Sequence, residues 1–229
     1  MKDNENKKVI KKRKFKLVKF LIVLLILYLF GFFSYRIVIS PIKNIFILNN
    51  TYLTDQEIID ISGLRDYPSF ILMSKTKVKK KLLKNDLVSD VVIKKKLFGI
   101  IYIDIKENKP LFYYQEDSKT VLDDNSLIDG NNFVLPTLIN HVDDEIMEVL
   151  VDKYNDINDE IRVMISEIKY VPNDIDKKRF LLTMNDGNYV YVTLYKMSSI
   201  NEYMKILSTL ENKKGILYLD SGNYFEIFK

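Results

Sequence analysis

The chain has 229 residues, of which 47% are hydrophobic and 29% charged, and its formal net charge is +4. The first 19 residues hold nine Lys or Arg against Asp3 and Glu5, a formal charge of +7, so the remainder carries −3. A remainder without positive excess argues against nucleic-acid binding, which needs a basic face on the folded part. The absence of cysteine excludes disulfides, thiolate metal sites and cysteine nucleophiles.

A long apolar segment follows this basic tail. Residues 20–35 contain no charge, and extension to 17–39 takes in only Lys19 and Arg36, whose long side chains can reach the headgroups. About 20 residues of helix cross a hydrocarbon core of about 30 Å. The sequence therefore predicts a transmembrane helix over 17–39. Because a lysine-rich flank stays inside, residues 1–16 are expected in the cytoplasm and the bulk outside, a single-pass type II arrangement.

Other interpretations of these segments remain open. A cleavable signal peptide would have a shorter apolar core and a small-residue cleavage site, which the following SYRIVISPIKN lacks. A buried core helix is seldom apolar all round beside a polybasic flank. The basic run is typical of a topology signal, with binding to anionic lipid or to nucleic acid as the alternatives.

The next 70 residues or so have a pattern typical of a small β-α-α-β-β unit, in which apolar periodicity switches between strand and helix. In its last strand, Ile101, Ile103 and Ile105 alternate with polar residues and predict a buried face. The predicted elements are a strand over 42–48 closed by Asn49-Asn50, a helix from the capping box Thr54–Glu57 to Gly63, a helix over 75–84, and strands over 91–97 and 100–107 about Phe98-Gly99.

Past Pro110 the pattern is mostly that of strands. The strongest hairpin signal is the stretch 179–194, in which two alternating runs flank NDGN. Ser199 and Glu202 form a second candidate capping box, before an apolar stripe at helical spacing that ends at Leu210. The other predicted elements are strands at LFYYQ, KTVLDD and LPTLIN, a helix over 143–154, and strands on both sides of Ser221-Gly222-Asn223.

This ordered set resembles the FtsQ/DivIB family of bacterial cell-division proteins over essentially the whole chain. The resemblance implies an α+β fold with a single transmembrane helix, a POTRA domain (β-α-α-β-β) over 41–109, and a β-rich domain over 110–229 with a C-terminal helix and strand. Departures at Asn49, at Leu97-Phe98-Gly99 and at Asn108 concern turn geometry. The matching stretches are IFILNNTYLTDQEI (45–58), VSDVVIKKKLFGIIYIDIKENKP (88–110), VLDDNSLI (121–128), LPTL (135–138) and GILYLDSGNYFEIF (215–228), the last after a helix at Lys205.

The resemblance also implies a non-enzymatic scaffold of the divisome at the division septum. Such a protein links single-pass partners of the FtsB/DivIC and FtsL type to septal peptidoglycan synthesis, and a partner segment pairs with an exposed edge strand near the C-terminus. Tyr218, Tyr224 and Phe225 are the expected aromatic anchors, although each could instead pack inside the domain. The candidate partner-binding residues are Leu217, Tyr218, Leu219, Tyr224, Phe225 and Ile227.

The residues predict no catalytic, cofactor or metal site. The seven glycines are never closer than seven apart, so no phosphate-binding loop is present. His141, the single histidine, lies beside the acidic run 143–145, where acids favour a helix start. Asp123-Asp124-Asn125 would begin an EF-hand loop, but its twelfth position is Val134 instead of Glu, so a solvated turn is expected.

Two other function classes stay open at this level. One is a membrane-anchored enzyme of the cell wall that works with carboxylates, whose spacing depends on the fold and is not visible in the sequence. The other is a membrane-tethered signalling sensor, in which the tail contacts a cytoplasmic regulator. Neither has a motif of its own in this chain.

Overall fold

The structure is a computed structural model that describes residues 17–210 and 213–229; the tail predicted over 1–16 lies outside them. Helix α1 (Leu17–Val38) has 22 residues, which gives a length of about 33 Å. Within the described residues it is the one helix long and apolar enough to cross a membrane by length and composition, and none of it is buried in the protein. It coincides with the predicted transmembrane segment.

A three-stranded sheet with two helices follows, in the predicted β-α-α-β-β order. The sheet order is β1-β3-β2, with β1 parallel and β2 antiparallel to β3. Ile101, Ile103 and Ile105 are buried, as the alternation predicted. The elements are β1 (Asn44–Leu48), α2 (Asp55–Ser62), α3 (Lys75–Leu82), β2 (Val88–Lys96) and β3 (Ile100–Glu107), with a short 3₁₀ turn at Leu97–Gly99.

The predicted capping box sets the start of α2. The Thr54 N–H donates to Glu57 Oε2 at 2.8 Å, and the Glu57 N–H donates back to Thr54 Oγ1 at 3.3 Å. Gly63 then ends the helix with φ of 73°, a left-handed conformation that glycine adopts readily. Both helix boundaries are therefore encoded locally.

The rest of the chain forms a nine-stranded sheet in the order β12-β11-β10-β9-β8-β7-β4-β5-β6. One apolar cluster joins its inner face to the helices of this region. The strands are β4 (Pro110–Tyr114), β5 (Lys119–Leu122), β6 (Leu127–Asp129), β7 (Thr137–Leu138), β8 (Ile165–Tyr170), β9 (Arg179–Met184), β10 (Tyr189–Thr193), β11 (Gly215–Tyr218) and β12 (Tyr224–Ile227). The helices are α4 (Asp144–Asn155), α5 (Asp159–Arg162), a 3₁₀ helix over Leu194–Glu202, and α6 (Tyr203–Ser208).

The hairpin predicted over 179–194 is confirmed, because β9 and β10 pair antiparallel about the NDGN turn. The second capping box is wrong. Ser199 lies inside the 3₁₀ helix, and α6 begins later, with Glu202 as N-cap and no side-chain cap bond. The predicted stripe is therefore divided between two helices. Ile200 in the 3₁₀ helix and Tyr203 at the start of α6 are buried, whereas Met204 is 50% exposed.

The two folded parts share an apolar contact. Leu122 of β5 belongs to the core of the first part, and Ile128 and Phe133 pack against that core. The Phe133 ring meets the Tyr52 ring edge to face, with centroids 5.7 Å apart. The β5–β6 end of the large sheet is therefore attached to the first part, and β12 lies at the opposite end.

The two capping boxes provide a matched test of the local energetics. Thr54→Ala removes a bond that the structure makes and is expected to lower the free energy of unfolding by about 1 kcal/mol. Ser199→Ala removes a hydroxyl that caps no helix and should stay within about 0.5 kcal/mol of the parent chain. Urea unfolding of the full chain in detergent micelles, followed by circular dichroism, compares them. Equal losses in the two variants would contradict the assignment.

Candidate functional site

Strand β12 forms one end of the nine-stranded sheet. Among the described residues it pairs only with β11, in antiparallel register. Beyond its last pair, the Phe228 N–H donates to Lys214 O at 2.9 Å. Opposite residues in an antiparallel ladder alternate between pairs that exchange hydrogen bonds and pairs that do not. The N–H and C=O groups of Phe225 and Ile227 therefore point away from β11, towards the open edge.

A buried polar network fixes the place where β11 begins. The fully buried Asn188 amide donates to Tyr203 Oη at 2.9 Å and accepts from the Gly215 N–H at 2.9 Å. The carboxylate of Asp186 accepts from Tyr203 Oη at 2.8 Å and from Asn188 Nδ2 at 3.1 Å. Every polar group of the cluster has a partner, so the network ties the β9–β10 turn, α6 and β11 into one arrangement.

Gly215 brings the last two strands into close contact. A Cβ atom at this position would lie 2.0 Å from the backbone oxygen of Glu226, which is on β12. Only glycine leaves room for such an approach. The separation of the edge strand from its neighbour therefore depends on the absence of one methyl group.

A row of three tyrosine rings crosses the outer face of the last three strands, and an arginine of β9 adjoins it. The rings of Tyr218 and Tyr224 stack with centroids 4.5 Å apart, and Tyr191 stacks on Tyr218 at 5.3 Å. The Arg179 guanidinium lies 3.7 Å from the centre of the Tyr191 ring, a cation–π contact. Tyr224 is thus the terminal ring of a supported stack, so its orientation at the sheet edge is fixed.

A largely buried ion pair holds the turn between β11 and β12. Arg179 Nε lies 2.7 Å from Asp220 Oδ2, and both side chains are mostly excluded from solvent. Lys196 Nζ donates to the Asp220 backbone oxygen at 3.1 Å. The C-terminal hairpin is therefore fastened to β9 and to the 3₁₀ helix as well as to β10.

The structure separates the predicted partner-binding residues into two groups. Leu217 and Leu219 are each 2% exposed and belong to the core, so their side chains do not reach the surface. Tyr224 and Ile227 are 50% and 51% exposed, Tyr218 is in the stack, and Phe225 is half-buried against the core. Partner binding by these residues stays a prediction.

The residues that support this edge are not among those predicted from the sequence. Tyr191 was detectable, because the alternation in β10 (YVYVT) places both of its tyrosines on one face, opposite its buried valines. The pair of Arg179 with Asp220 joins residues 41 apart in sequence, and no local pattern indicates it.

Comparison with known proteins places the chain in a family. Residues 40–108 match the family model of the POTRA domain, FtsQ-type. The chain is 31% identical over 217 residues to cell division protein DivIB of Bacillus subtilis (strain 168), an alignment that covers 91% of this chain and 80% of that protein. The chain belongs to the DivIB family. The resemblance drawn from its motifs is confirmed, including the POTRA domain.

Other DivIB proteins give the same picture. Cell division protein DivIB of Listeria monocytogenes is 28% identical over 249 residues, covering 98% of this chain and 91% of that protein. The solved major extracytoplasmic domain of the trans isomer of DivIB from Geobacillus stearothermophilus covers 46% of this chain, at 19% identity and a TM-score of 0.40. This DivIB-family chain is thus a cell-division protein with a POTRA domain and an N-terminal apolar helix that indicates a single-pass membrane anchor.

The histidine of this DivIB-family chain has carboxylates for neighbours. His141 Nδ1 lies 2.9 Å from Glu116 Oε2, which also accepts from Tyr114 Oη at 2.6 Å, and His141 Nε2 lies 3.6 Å from Asp143. The hydrogen bond to Glu116 raises the pKa of His141 above its ordinary value. These contacts form an exposed ion pair and include no serine hydroxyl of the kind that a Ser-His-Asp arrangement requires.

A cleft of about 640 Å³ lies where the POTRA and β-rich domains meet, between Tyr52 and the starts of β4 and β8. Among the residues that the structure describes, Asp159 is the single carboxylate that lines it, and Lys109 and Arg162 both donate to this carboxylate. The bond from Lys109 lowers the pKa of Asp159. Glycoside hydrolysis uses two carboxylates, one with a raised pKa, so this cleft has no such pair. In the described part of the chain, no three His, Asp or Glu side chains are grouped as metal ligands.

The ion pair under the C-terminal hairpin gives a stability prediction. Arg179→Met removes the cation that neutralises the largely buried Asp220 carboxylate and leaves it only the hydrogen bond from the Ser221 hydroxyl. The expected loss is about 3–5 kcal/mol in the free energy of unfolding. Arg179→Met combined with Asp220→Leu removes both charges and should regain most of that loss. Urea unfolding of the full chain in micelles measures both variants. If the double variant is as unstable as Arg179→Met, the loss of stability does not come from the unpaired Asp220 charge.

Proposed function

We propose that this DivIB-family chain is a non-enzymatic scaffold of the division machinery, bound to its partners by strand addition at β12. The partners proposed are single-pass division proteins of the FtsB/DivIC and FtsL type, and the assembly takes part in the control of septal peptidoglycan synthesis. The basic tail lies in the cytoplasm, α1 crosses the membrane, and the POTRA and β-rich domains stand outside at the septum.

The open edge of β12 carries the proposal. Two successive outward positions, Phe225 and Ile227, present backbone donors and acceptors in the spacing that an incoming strand pairs with. Native sheets often protect unused edges with proline or with charged side chains, lysine above all. β12 contains neither proline nor lysine, its one charged residue is Glu226, and Tyr224 and Ile227 are half exposed beside the unpaired backbone. A partner strand would cover these groups.

The contacts that hold β12 in place indicate that it is already ordered before a partner binds, so that it can serve as a rigid template for strand pairing. The ring stack, the Asn188 network and the Arg179–Asp220 pair all fix the hairpin before any partner arrives. A strand that is already ordered loses little conformational entropy when another strand pairs with it. Leu217 and Leu219 contribute to this arrangement by anchoring β11 in the core, and the direct contacts fall to Tyr224, Phe225 and Ile227.

Two substitutions at one position test the pairing. Ile227→Pro removes the outward N–H while leaving the bonds between β11 and β12, because proline is tolerated on an edge when its nitrogen faces outward. Ile227→Ala loses the same side chain but keeps the N–H. We expect Ile227→Pro to weaken binding to a purified FtsL–DivIC-type partner complex by at least about tenfold, and Ile227→Ala to weaken it less.

Binding is measured by titration of the full chain in micelles, with circular dichroism to confirm that both variants fold. If Ile227→Pro binds as tightly as the parent chain, strand addition at this edge is excluded. Equal weakening in the two variants would assign the affinity to the isoleucine side chain and would likewise reject backbone pairing.

Location and orientation have their own test in dividing cells. A fluorescent fusion of the full chain should concentrate at midcell, and protease added outside protoplasts should digest the C-terminal part while sparing residues 1–16. A uniform membrane signal would count against the septal role. Protection of the C-terminal part from external protease would reverse the proposed orientation, since the lysine-rich tail would then lie outside.

A further inference from the structure

Strand direction places one turn of the POTRA domain beside the membrane helix. Strand β1 begins six residues after α1 ends, and β3 runs parallel to β1. Strand β2 is antiparallel to β3, so β2 ends at the edge of the sheet where β1 and β3 begin. The turn at Leu97–Gly99, which joins β2 to β3, therefore lies at the end of the sheet nearest to α1. A direct bond confirms the proximity, because the Lys43 N–H donates to Gly99 O at 2.8 Å.

A second segment reaches the same place. The Ser69 hydroxyl donates to Val38 O, in the last turn of α1, at 2.5 Å, and the Phe70 N–H donates to Ser40 O at 2.9 Å. Lys95 then joins this loop to the strand before the turn, because its Nζ donates to Phe70 O and Met73 O. The loop and the turn are thus bonded to the chain where it leaves α1.

Both segments expose large apolar side chains. Leu97, Phe98 and Leu72 are 78%, 80% and 70% exposed, and Ile71 is also exposed; these four residues are called the membrane-proximal patch. Apart from Lys95, whose ammonium is bonded within the domain, the stretches 39–46, 69–75 and 94–99 contain four lysines and no Asp or Glu. Exposed apolar side chains surrounded by lysines are typical of segments that lie in the interface of an anionic bilayer.

The turn itself is unfavourable for the residue at its tip. Phe98 has φ of 64°, in the left-handed region where bulky residues are outliers and Gly, Asn or Asp are favoured. Its ring contributes nothing to the core, being exposed. A strained residue of this kind points to a role outside the fold.

We propose that the POTRA domain of this protein rests on the bilayer that α1 crosses, with the membrane-proximal patch inserted among the lipid headgroups. The patch is continuous with α1 through the bonds at Val38 and Ser40, which puts lipid within its reach. The lysines around it match anionic headgroups. Docking of this kind fixes the tilt of the domain against the membrane, a constraint that a single flexible connection to α1 would not supply.

The chain contains no tryptophan, so one substitution gives a unique optical reporter. Phe98→Trp places it in the patch, and Leu48→Trp places it at the other end of β1, about 13 Å along the strand. Each full-length variant is reconstituted in vesicles of phosphatidylcholine and phosphatidylglycerol, with and without brominated phosphatidylcholine. Phe98→Trp should show blue-shifted emission and lose most of its intensity to the brominated lipid, whereas Leu48→Trp should keep a water-like emission. Equal quenching in the two variants overturns the proposal.

A second comparison separates docking from mere closeness to the anchor. In the Leu72→Trp background, Phe98→Asn removes the inserted ring and suits the left-handed turn, so the fold should be no less stable. Quenching of the tryptophan at position 72 should then fall. Unchanged quenching would mean that the connection to α1 alone sets the distance, which refutes docking. Quenching that depends on the protein-to-lipid ratio would refute it too, because it would identify a second copy of the chain as the contact.

Discussion

The arrangement of the C-terminal third depends on the side chain of Asn188. Its amide bonds to the β9–β10 turn, to α6 and to the start of β11, through Asp186, Tyr203 and the Gly215 N–H. These elements are separated in sequence, and apolar packing alone would leave their register loosely specified. A buried amide requires particular partners, because leaving any of them unmade costs about 1–3 kcal/mol. The position of β11, and with it that of the edge strand, therefore follows from hydrogen bonding more than from hydrophobic burial.

The strand order of the large sheet places the POTRA domain and the open edge strand at opposite ends. Its β5–β6 end packs on the POTRA domain, which is joined to α1, while β12 lies at the other end. Nine strands at about 4.8 Å spacing extend over roughly 40 Å. The residues proposed to meet lipid and those proposed to meet a partner strand are thus held apart by a continuous sheet. A change at one end need not disturb the other except through the strands between them.

Features encoded by neighbouring residues could be predicted from the sequence. The length of α1, the capping box at Thr54, the stop at Gly63 and the hairpin about Asp186-Gly187 all follow from local patterns, and all are found. Ser199 shows the limit of such patterns, because a 3₁₀ helix that continues from β10 occupies the place where an α-helix start was expected. The parallel pairing of β10 with β11 and the contact of Arg179 with Asp220 join distant residues. These contacts depend on the assembled sheet, so no short stretch of sequence encodes them.

The close approach at Gly215 has a consequence for how variation in this protein should be interpreted. Any side chain there would collide with the Glu226 backbone oxygen and push the last strand outward. Such a substitution would resemble a defect in recognition, although it alters no atom that a partner touches. A genetic screen for lost assembly would therefore recover this position together with true contact residues. Substitutions at contact residues change the binding surface itself, whereas substitutions at Gly215 displace the strand that carries it.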